Sequence, residues 1–456
     1  MQSYTDFLAN KFKAIAPSGF ETVVDAEYLF GFQRDLVRWA LRRGRAAIFA
    51  DTGLGKSRME VEWSRQVVER TGRDVLILAP LAVAGQTVRE AASIGVQATL
   101  CRDAADVRPG INITNYDRLH RFDPKRFAGV VLDESSCIKH FDSRLLRTLL
   151  ESFAEATYKL AATATPAPND FAELGTHAEF LGVCSRPEML AEFFVHDPSE
   201  TQKWRLKKHA RDIFWKWVAS WAALVRRPSD LGYEDAGYAL PPLHVRQHIV
   251  EVDGVEAKET MSLTERRAAR KASLPARVAA CAALVNASPD EQWIVWGVLN
   301  AETEALTRAI DGAVEVRGPD DPDDKEQHLL DFAEGRVRVL VTKSSIAGWG
   351  MNFQRCARMA FVGVDDSFES YYQAVRRCWR FRQTRDVEVH VFASIAEQAV
   401  MNNLARKEED AKRMADALSA ITRDVVQAEV MRDTPRHNPY VPKQALRLPT
   451  WAGGNK

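Results

Sequence analysis

Paired cysteines are missing from this sequence. Cys101, Cys137, Cys184, Cys281, Cys356 and Cys378 lie far apart, and no C-x-x-C spacing occurs. A disulfide framework and a cysteine-based zinc site are thereby excluded as organising features, and a reducing compartment is expected. Net charge is also lacking: 62 Lys plus Arg balance 62 Asp plus Glu. No overall field draws the molecule to nucleic acid or anionic lipid, so any polyanion site has to be local. No apolar run reaches membrane-spanning length. The first residues, "MQSYTDFLANKFKAIAPSGFE", carry charges where a signal peptide needs an apolar block. A cytoplasmic protein with no membrane contact is expected, and no repeat of solenoid period is seen.

What is present is length and alternation. A chain of 456 residues is too long for one compact core and has apolar material for two or three domains. Short apolar runs alternate with helical patterns: "RAAIFA", "DVLILAP", "INITNY", "GVVLDE" and "YKLAAT" read as buried parallel strands. The strand signal then stops. Phe214, Trp217, Val218, Trp221 and Val225 recur at three- and four-residue steps, which predicts that "IFWKWVASWAALV" is one amphipathic helix. Alternation resumes with "QWIVWG", "AVEVRG", "VRVLVT", "MAFVGV" and "VEVHVF". The predicted class is α/β, two parallel-sheet lobes in tandem with a helical insertion and a helical C-terminal tail. The expected limits are 1–183, 184–243, 244–400 and 401–456, with the tail helix packing on the second lobe or serving as a docking segment for a protein partner.

One corner carries chemistry. "RAAIFADTGLGKSRMEVEWSRQV" places a strand, a glycine loop and a helix in that order, the context of a phosphate-binding loop. Thr52, Gly53, Leu54 and Gly55 form the wrap, Lys56 reaches the terminal phosphates, and Ser57 ligates Mg²⁺. ATP with Mg²⁺ is the expected ligand. Ala50 stands where the usual pattern has its first glycine, which indicates a subtype of the loop. At the end of "FAGVVLDESSCIKH", Asp133 is placed to hold the metal and Glu134 to orient or deprotonate the attacking water.

The order of these motifs resembles the superfamily 2 helicases and translocases, nearest the Swi/Snf-like group of phage or prophage type, over residues 28 to 395. "FGFQRDLV" looks like the adenine-reading Q motif with Gln33, and "VVLDESSCIKH" like the DEAH-type box, with Ser136 at the histidine position and Lys139 kept. "AATATPAPND" is similar to motif III, with Thr163, Thr165, Pro166 and Asn169. "VLVTKSSIAGWGMNFQ" and "YYQAVRRCWRFRQ" resemble motifs V and VI. The resemblance implies RecA-like lobes, Gly350 and Gln373 on the nucleotide side, and Thr163 and Thr165 in coupling. It also implies contacts to the nucleic-acid backbone by Thr114, Asn115, Ser344, Ser345 and Asn352. Host cytoplasm follows if the chain is phage-encoded. Arg377 and Arg380, at i and i+3, share a helix face that can point at the γ-phosphate. Arg376 departs from the family pattern and leaves open which of the three arginines act as fingers.

Lys203, Arg205, Lys207, Lys208 and Arg211 around Trp204, and the stretch Arg266 to Lys271, are either walls of a duplex channel or solvated faces. Trp215, off the apolar stripe, stacks on a base or packs. The acidic "GPDDPDDKEQ" is expected only to face solvent. The implied function is an ATP-dependent DNA translocase, duplex favoured. A strand-separating DNA or RNA helicase, the motor subunit of a defence complex, and a binding or regulatory module with a structural ATP site remain open as alternatives.

Overall fold

The computed structural model describes residues 17–138, 143–167, 170–197, 200–235, 237–238, 240–252, 263–347, 352–363, 368–398, 401–402, 406, 409, 423–424 and 426–431. In chain order the strands are β1 (Arg45–Ala50), β2 (Asp74–Ala79), β3 (Ala98–Leu100), β4 (Ile111–Asn115), β5 (Phe127–Asp133), β6 (Tyr158–Ala162), β7 (Phe194–Asp197), β8 (Glu200–Leu206) and β9 (Ala222–Val225). They continue as β10 (Leu243–Val250), β11 (Trp293–Gly297), β12 (Ala313–Glu315), β13 (Val339–Lys343), β14 (Arg358–Val362) and β15 (Val387–Ser394). Two sheets result, ordered β3-β4-β2-β5-β6-β1-β9 and β10-β15-β14-β11-β13-β12, with β7 and β8 forming a separate antiparallel hairpin. Every pairing within the two large sheets is parallel. The α/β class and the two lobes expected of a RecA-like tandem are therefore observed.

Strand composition explains why both faces of each sheet are covered. In β1, Ala46, Ile48 and Ala50 enter one apolar core while Ala47 and Phe49 enter the other. A run buried on both sides has to be apolar throughout, which is why these strands read as continuous rather than alternating. The helices Gly31–Arg43 and Lys56–Thr71 supply Trp39, Met59 and Trp63 to the first face. Parallel strands place their C-terminal ends on one side, and the loops following β1, β5 and β6 meet there.

The strands β3, β7, β8 and β10 are not among those read from the sequence, and two further segments differ from the reading given them. The expected single helix ends at Ala219, and "AALV" becomes β9, paired with β1 from Ala47↔Ala222 to Ala50↔Val225. A short apolar run serves equally as a helix stripe or a buried strand. The open edge of β1 decides it, because the amides of Ala47 and Asp51 take Trp221 O and Val225 O at 2.9 Å each and would otherwise be buried without partners. Residues 184–243 thus also supply a hairpin and the last strand of the first sheet. Trp215 packs, with Phe171 and Phe214 at centroid distances of 4.9 and 4.8 Å.

The second difference is at the C-terminus. Met401 belongs to the core of the second lobe, but Val426 and Val430 are buried in the core of the first. Arg43 pairs with Glu429 at 2.6 Å, and Arg42 donates to Glu429 O at 2.6 Å. The helical tail expected on the second lobe returns to the first. Two valines spaced i, i+4 in a charged stretch show that one face is buried without saying against which lobe.

Candidate nucleotide site between the lobes

The loop after β1 adopts the shape its glycines permit. Gly53 and Gly55 have φ of +90° and +80°, a left-handed backbone that a side chain resists. A Cβ on Gly53 would lie 3.0 Å from Phe381 N, and one on Gly55 would lie 2.3 Å from Gln33 Nε2. Ala50 is the last residue of β1 and lies in extended backbone, so the missing first glycine costs the loop nothing. Lys56 opens the helix, nearly buried, and its Nζ donates to Ala50 O at 3.1 Å. Gln33, expected to read the adenine, is occupied otherwise. Its Oε1 accepts from Phe30 N at 2.9 Å and its Nε2 donates to Leu54 O at 2.8 Å, so in this structure it braces the phosphate loop.

Opposite the loop, Asp133 ends β5 and Glu134 follows in left-handed backbone with φ +53°. A non-glycine residue held there marks a position the surroundings over-determine. Burial, then the neighbouring charge of Glu134, pushes the Asp133 carboxyl up to about 7. Its Oδ2 has no hydrogen-bond partner. A buried carboxylate oxygen without a partner suits a hard cation. Glu134 is linked outward: Thr163 Oγ1 donates to its Oε2 at 3.3 Å, and Thr165 N donates to Thr163 Oγ1 at 3.2 Å. Gln373 Nε2 reaches Thr165 Oγ1 at 3.5 Å, and Arg377 Nη2 donates to Gln373 Oε1 at 2.8 Å. Thr163 and Thr165 therefore join the acid of one lobe to the arginine segment of the other, and Gln373 is the bridging member of that chain; the helix ends at Val375, so Arg377 and Arg380 lie in the turns after it and not on the shared helix face expected.

Glu60 was not anticipated. It is 1 % exposed, neither carboxyl oxygen has a partner, and burial followed by the charge of Asp133 holds it well above the ordinary carboxylate value. In the sequence it reads as one more polar residue of a charged helix. Its spacing of four from Lys56, which puts both on one helix face, was the available signal. Ser136, at the histidine position of the box, is buried with no partner for Oγ. Ser135 instead meets His177 Nε2 at 3.0 Å, and burial lowers that imidazole to about 4. Lys139, Asn169 and Gly350 lie outside the described residues.

The second lobe closes the site. Asn352, Arg376, Arg377 and Arg380 line, together with the phosphate loop and Asp133–Glu134, one open cavity between the lobes. The three arginines differ. Arg376 pairs with Asp51 at 2.6 Å and with Thr52 Oγ1. Burial works to raise the Asp51 carboxyl, yet the charge and hydrogen bond of Arg376 hold it below its ordinary value. Arg377 donates through Nε to Gln373 O at 3.1 Å. Arg380 is half-buried, and its Nε, shut off from solvent, has no partner. Burial, then the charges of Arg377 and Arg376, lower its guanidinium to about 10, so it stays cationic at neutral pH.

Residues 279–382 match the helicase conserved C-terminal domain. The second lobe is that of a helicase. The match indicates a helicase-type protein of superfamily 1 or 2, and such a domain implies ATP use and nucleic-acid binding. No curated protein matches the chain. Among the described residues no helix is long and apolar enough to cross a membrane.

Within this helicase-type frame the expected nucleic-acid residues separate. Ser344 and Ser345 follow β13, with Ser345 exposed and Ser344 half-buried. Asn352 lines the cavity between the lobes instead. Thr114 and Asn115, expected at the nucleic-acid backbone, are both buried. Thr114 Oγ1 donates to Cys101 O at 2.8 Å, and Asn115 Oδ1 accepts from Arg118 N at 3.1 Å. The resemblance places them at the nucleic-acid backbone; β4 is interior and their side chains are engaged with local backbone. Of the basic stretch, Lys207 caps the helix Arg186–Phe193 through Ala191 O and Glu192 O at 2.9 and 2.7 Å, while Arg205, Lys208 and Arg211 are exposed. The acidic segment also has a partner: Glu326 pairs with Arg89 of the first lobe.

Arg382 lies two residues past Arg380 with φ +70°, a backbone that costs a non-glycine residue about 1 kcal/mol. Arg382→Gly is expected to raise stability by about 0.5–1 kcal/mol, read as a higher urea midpoint at unchanged slope. A lower midpoint would show that its guanidinium packing on Phe381, at 5.6 Å, outweighs the strain.

Proposed function

We propose that the chain is an ATP-driven DNA translocase of the Swi/Snf-like superfamily 2 type, with duplex DNA favoured over single strands and RNA. The observation that carries this reading is Arg380: a cation with no hydrogen-bonded partner for its Nε, on the helicase lobe, lining the same cavity as Lys56 and Glu134 of the other lobe. A cation left unpaired in a cleft is set to receive an anion that arrives with the substrate.

Each residue then has a task. Backbone N–H groups at the start of the helix Lys56–Thr71 and the Lys56 ammonium bind the phosphates. Ser57 and the free Oδ2 of Asp133, which line one cavity, are the oxygen donors for Mg²⁺, which when bound supplies positive charge to the phosphate oxygens. Glu134 orients the attacking water and takes its proton. Arg380, with Arg377 beside it, neutralises charge on the departing phosphoryl group. The path from Glu134 through Thr163, Thr165 and Gln373 to Arg377 ties the state of the water site to the position of the second lobe. Lobe movement then follows the chemistry, and Ser344 and Ser345 are the retained candidates for gripping the nucleic-acid backbone.

The test is ATP turnover across duplex DNA, single-stranded DNA and RNA, with triplex displacement to detect translocation without strand separation. Stimulation by duplex DNA with displacement is expected. Turnover indifferent to every nucleic acid would defeat the motor reading, and RNA-only stimulation would defeat the DNA assignment. Lys56→Ala removes one charge-assisted hydrogen bond to phosphate and is expected to weaken ATP binding about 10- to 100-fold, measured with a fluorescent nucleotide.

A further inference from the structure

Arg376 is the departure from the family pattern that motif reading leaves unassigned. It is 5 % exposed and belongs to the second lobe, yet its guanidinium engages the phosphate loop of the first. Nη2 pairs with Asp51 Oδ1 at 2.6 Å, Nε donates to Thr52 Oγ1, and Nη2 lies 3.5 Å from Thr52 O. Tyr372 OH donates to the same Asp51 oxygen at 3.1 Å, and Thr52 N does so at 2.6 Å. The guanidinium carbon lies 5.5 Å from the Tyr372 ring centroid and 5.1 Å from that of Trp379. The fork is thus held on its faces by aromatics and on its edge by the loop.

A planar guanidinium engaged in this way is committed. It cannot also serve as a phosphate ligand without abandoning the half-buried Asp51 carboxylate, and its own buried charge stripped of that partner is strongly unfavourable. Asp51 and Thr52 are the first residues after β1, where the loop begins its wrap. Whatever holds them sets where the loop's N–H groups point. A second contact reinforces the join a few residues on: a Cβ on Gly53 would lie 3.0 Å from Phe381 N, and Phe381 stacks on Tyr238 at 4.6 Å.

We infer that Arg376 is a positioning residue, an interlobe clamp that seats the phosphate loop against the helicase lobe through Asp51, and that it is not a third arginine finger. This deepens the proposed ATPase function and rests on it for its catalytic consequence, but the clamp itself is a contact between lobes that exists without turnover. Phosphate binding and lobe closure are then joined through the Asp51–Arg376 pair as well as through the cations that face the cavity.

The experiment uses the full chain in two readouts. Small-angle X-ray scattering without nucleotide reports lobe separation, and steady-state kinetics reports KM for ATP against kcat. Arg376→Gln and Asp51→Asn are each expected to increase the radius of gyration, with the double variant no more expanded than either single one. Arg376→Lys, which keeps the charge but not the fork, is expected to recover part of the compaction. In kinetics, Asp51→Asn is expected to raise KM about tenfold or more with the smaller change in kcat. A folded Asp51→Asn protein that scatters like the parent overturns the clamp, and this variant suffices if Arg376→Gln fails to fold. Loss of kcat at unchanged KM in Arg376→Gln also overturns it, because that is the signature of a finger. Inactivity of the parent enzyme would remove the ATPase reading and leave the scattering result standing on its own.

Discussion

Glu134→Gln is expected to bind ATP as the parent does and to hydrolyse it about 10²- to 10⁴-fold more slowly. The substitution keeps the size of the side chain and removes the capacity to accept a proton. Binding is unaffected because Lys56, the loop amides and Asp133 are untouched. The backbone of Glu134 is already held in left-handed geometry, and the bond from Thr163 Oγ1 to Oε2 at 3.3 Å has an amide oxygen available to replace the carboxylate. The loss therefore falls on the chemical step. Single-turnover hydrolysis, run beside equilibrium binding of a fluorescent nucleotide, separates the two. Equal loss of both would mean that Glu134 is a structural member of the loop and not its base.

Arg380→Ala is expected to lower nucleic-acid-stimulated turnover by about 10³- to 10⁵-fold, the range an arginine finger supplies in other NTPases. ATP affinity should change little, since charge on the phosphoryl group peaks during transfer rather than on binding. The Nε of Arg380 makes no hydrogen bond, so its removal breaks no ion pair in the described structure and thermal stability should hold. Removing Arg376 strips Asp51 of its charged partner. The comparison of kcat and KM between the two arginines therefore distinguishes a group acting on phosphate from one acting on the protein. Unchanged turnover in Arg380→Ala would remove it from the site.

Strand-rich parts of both lobes were legible because a strand buried on two faces leaves few polar positions, and runs such as "RAAIFA" or "WIVWG" recur at regular spacing between helical patterns. The phosphate corner was legible because Gly53 and Gly55 are demanded by positive φ and leave a mark in sequence. What could not be read depended on partners far along the chain. The four residues of β9 took their conformation from the open edge of β1. Thr114 and Asn115 looked like donors until Cys101 O and Arg118 N appeared beside them. Glu60 resembles any helix-surface acid until burial between the loop and β5 sets it apart. Arg376, Arg377 and Arg380 are the same residue type on one short stretch, and only the opposite lobe tells them apart.

The return of the C-terminus to the first lobe has a mechanical corollary. The polypeptide leaves the first lobe for the second before β10, and Val426 and Val430 are again in the core of the first, so the first lobe holds chain from both sides of the second. A single flexible joint would let one half swivel freely about the other. Two anchor points remove that freedom and confine the halves to a hinge-like path, with the second tether keeping them at high local concentration after the nucleotide leaves. Replacing Val426 and Val430 with aspartate would free the C-terminal segment from the first lobe and leave the Asp51–Arg376 pair as the join between the halves.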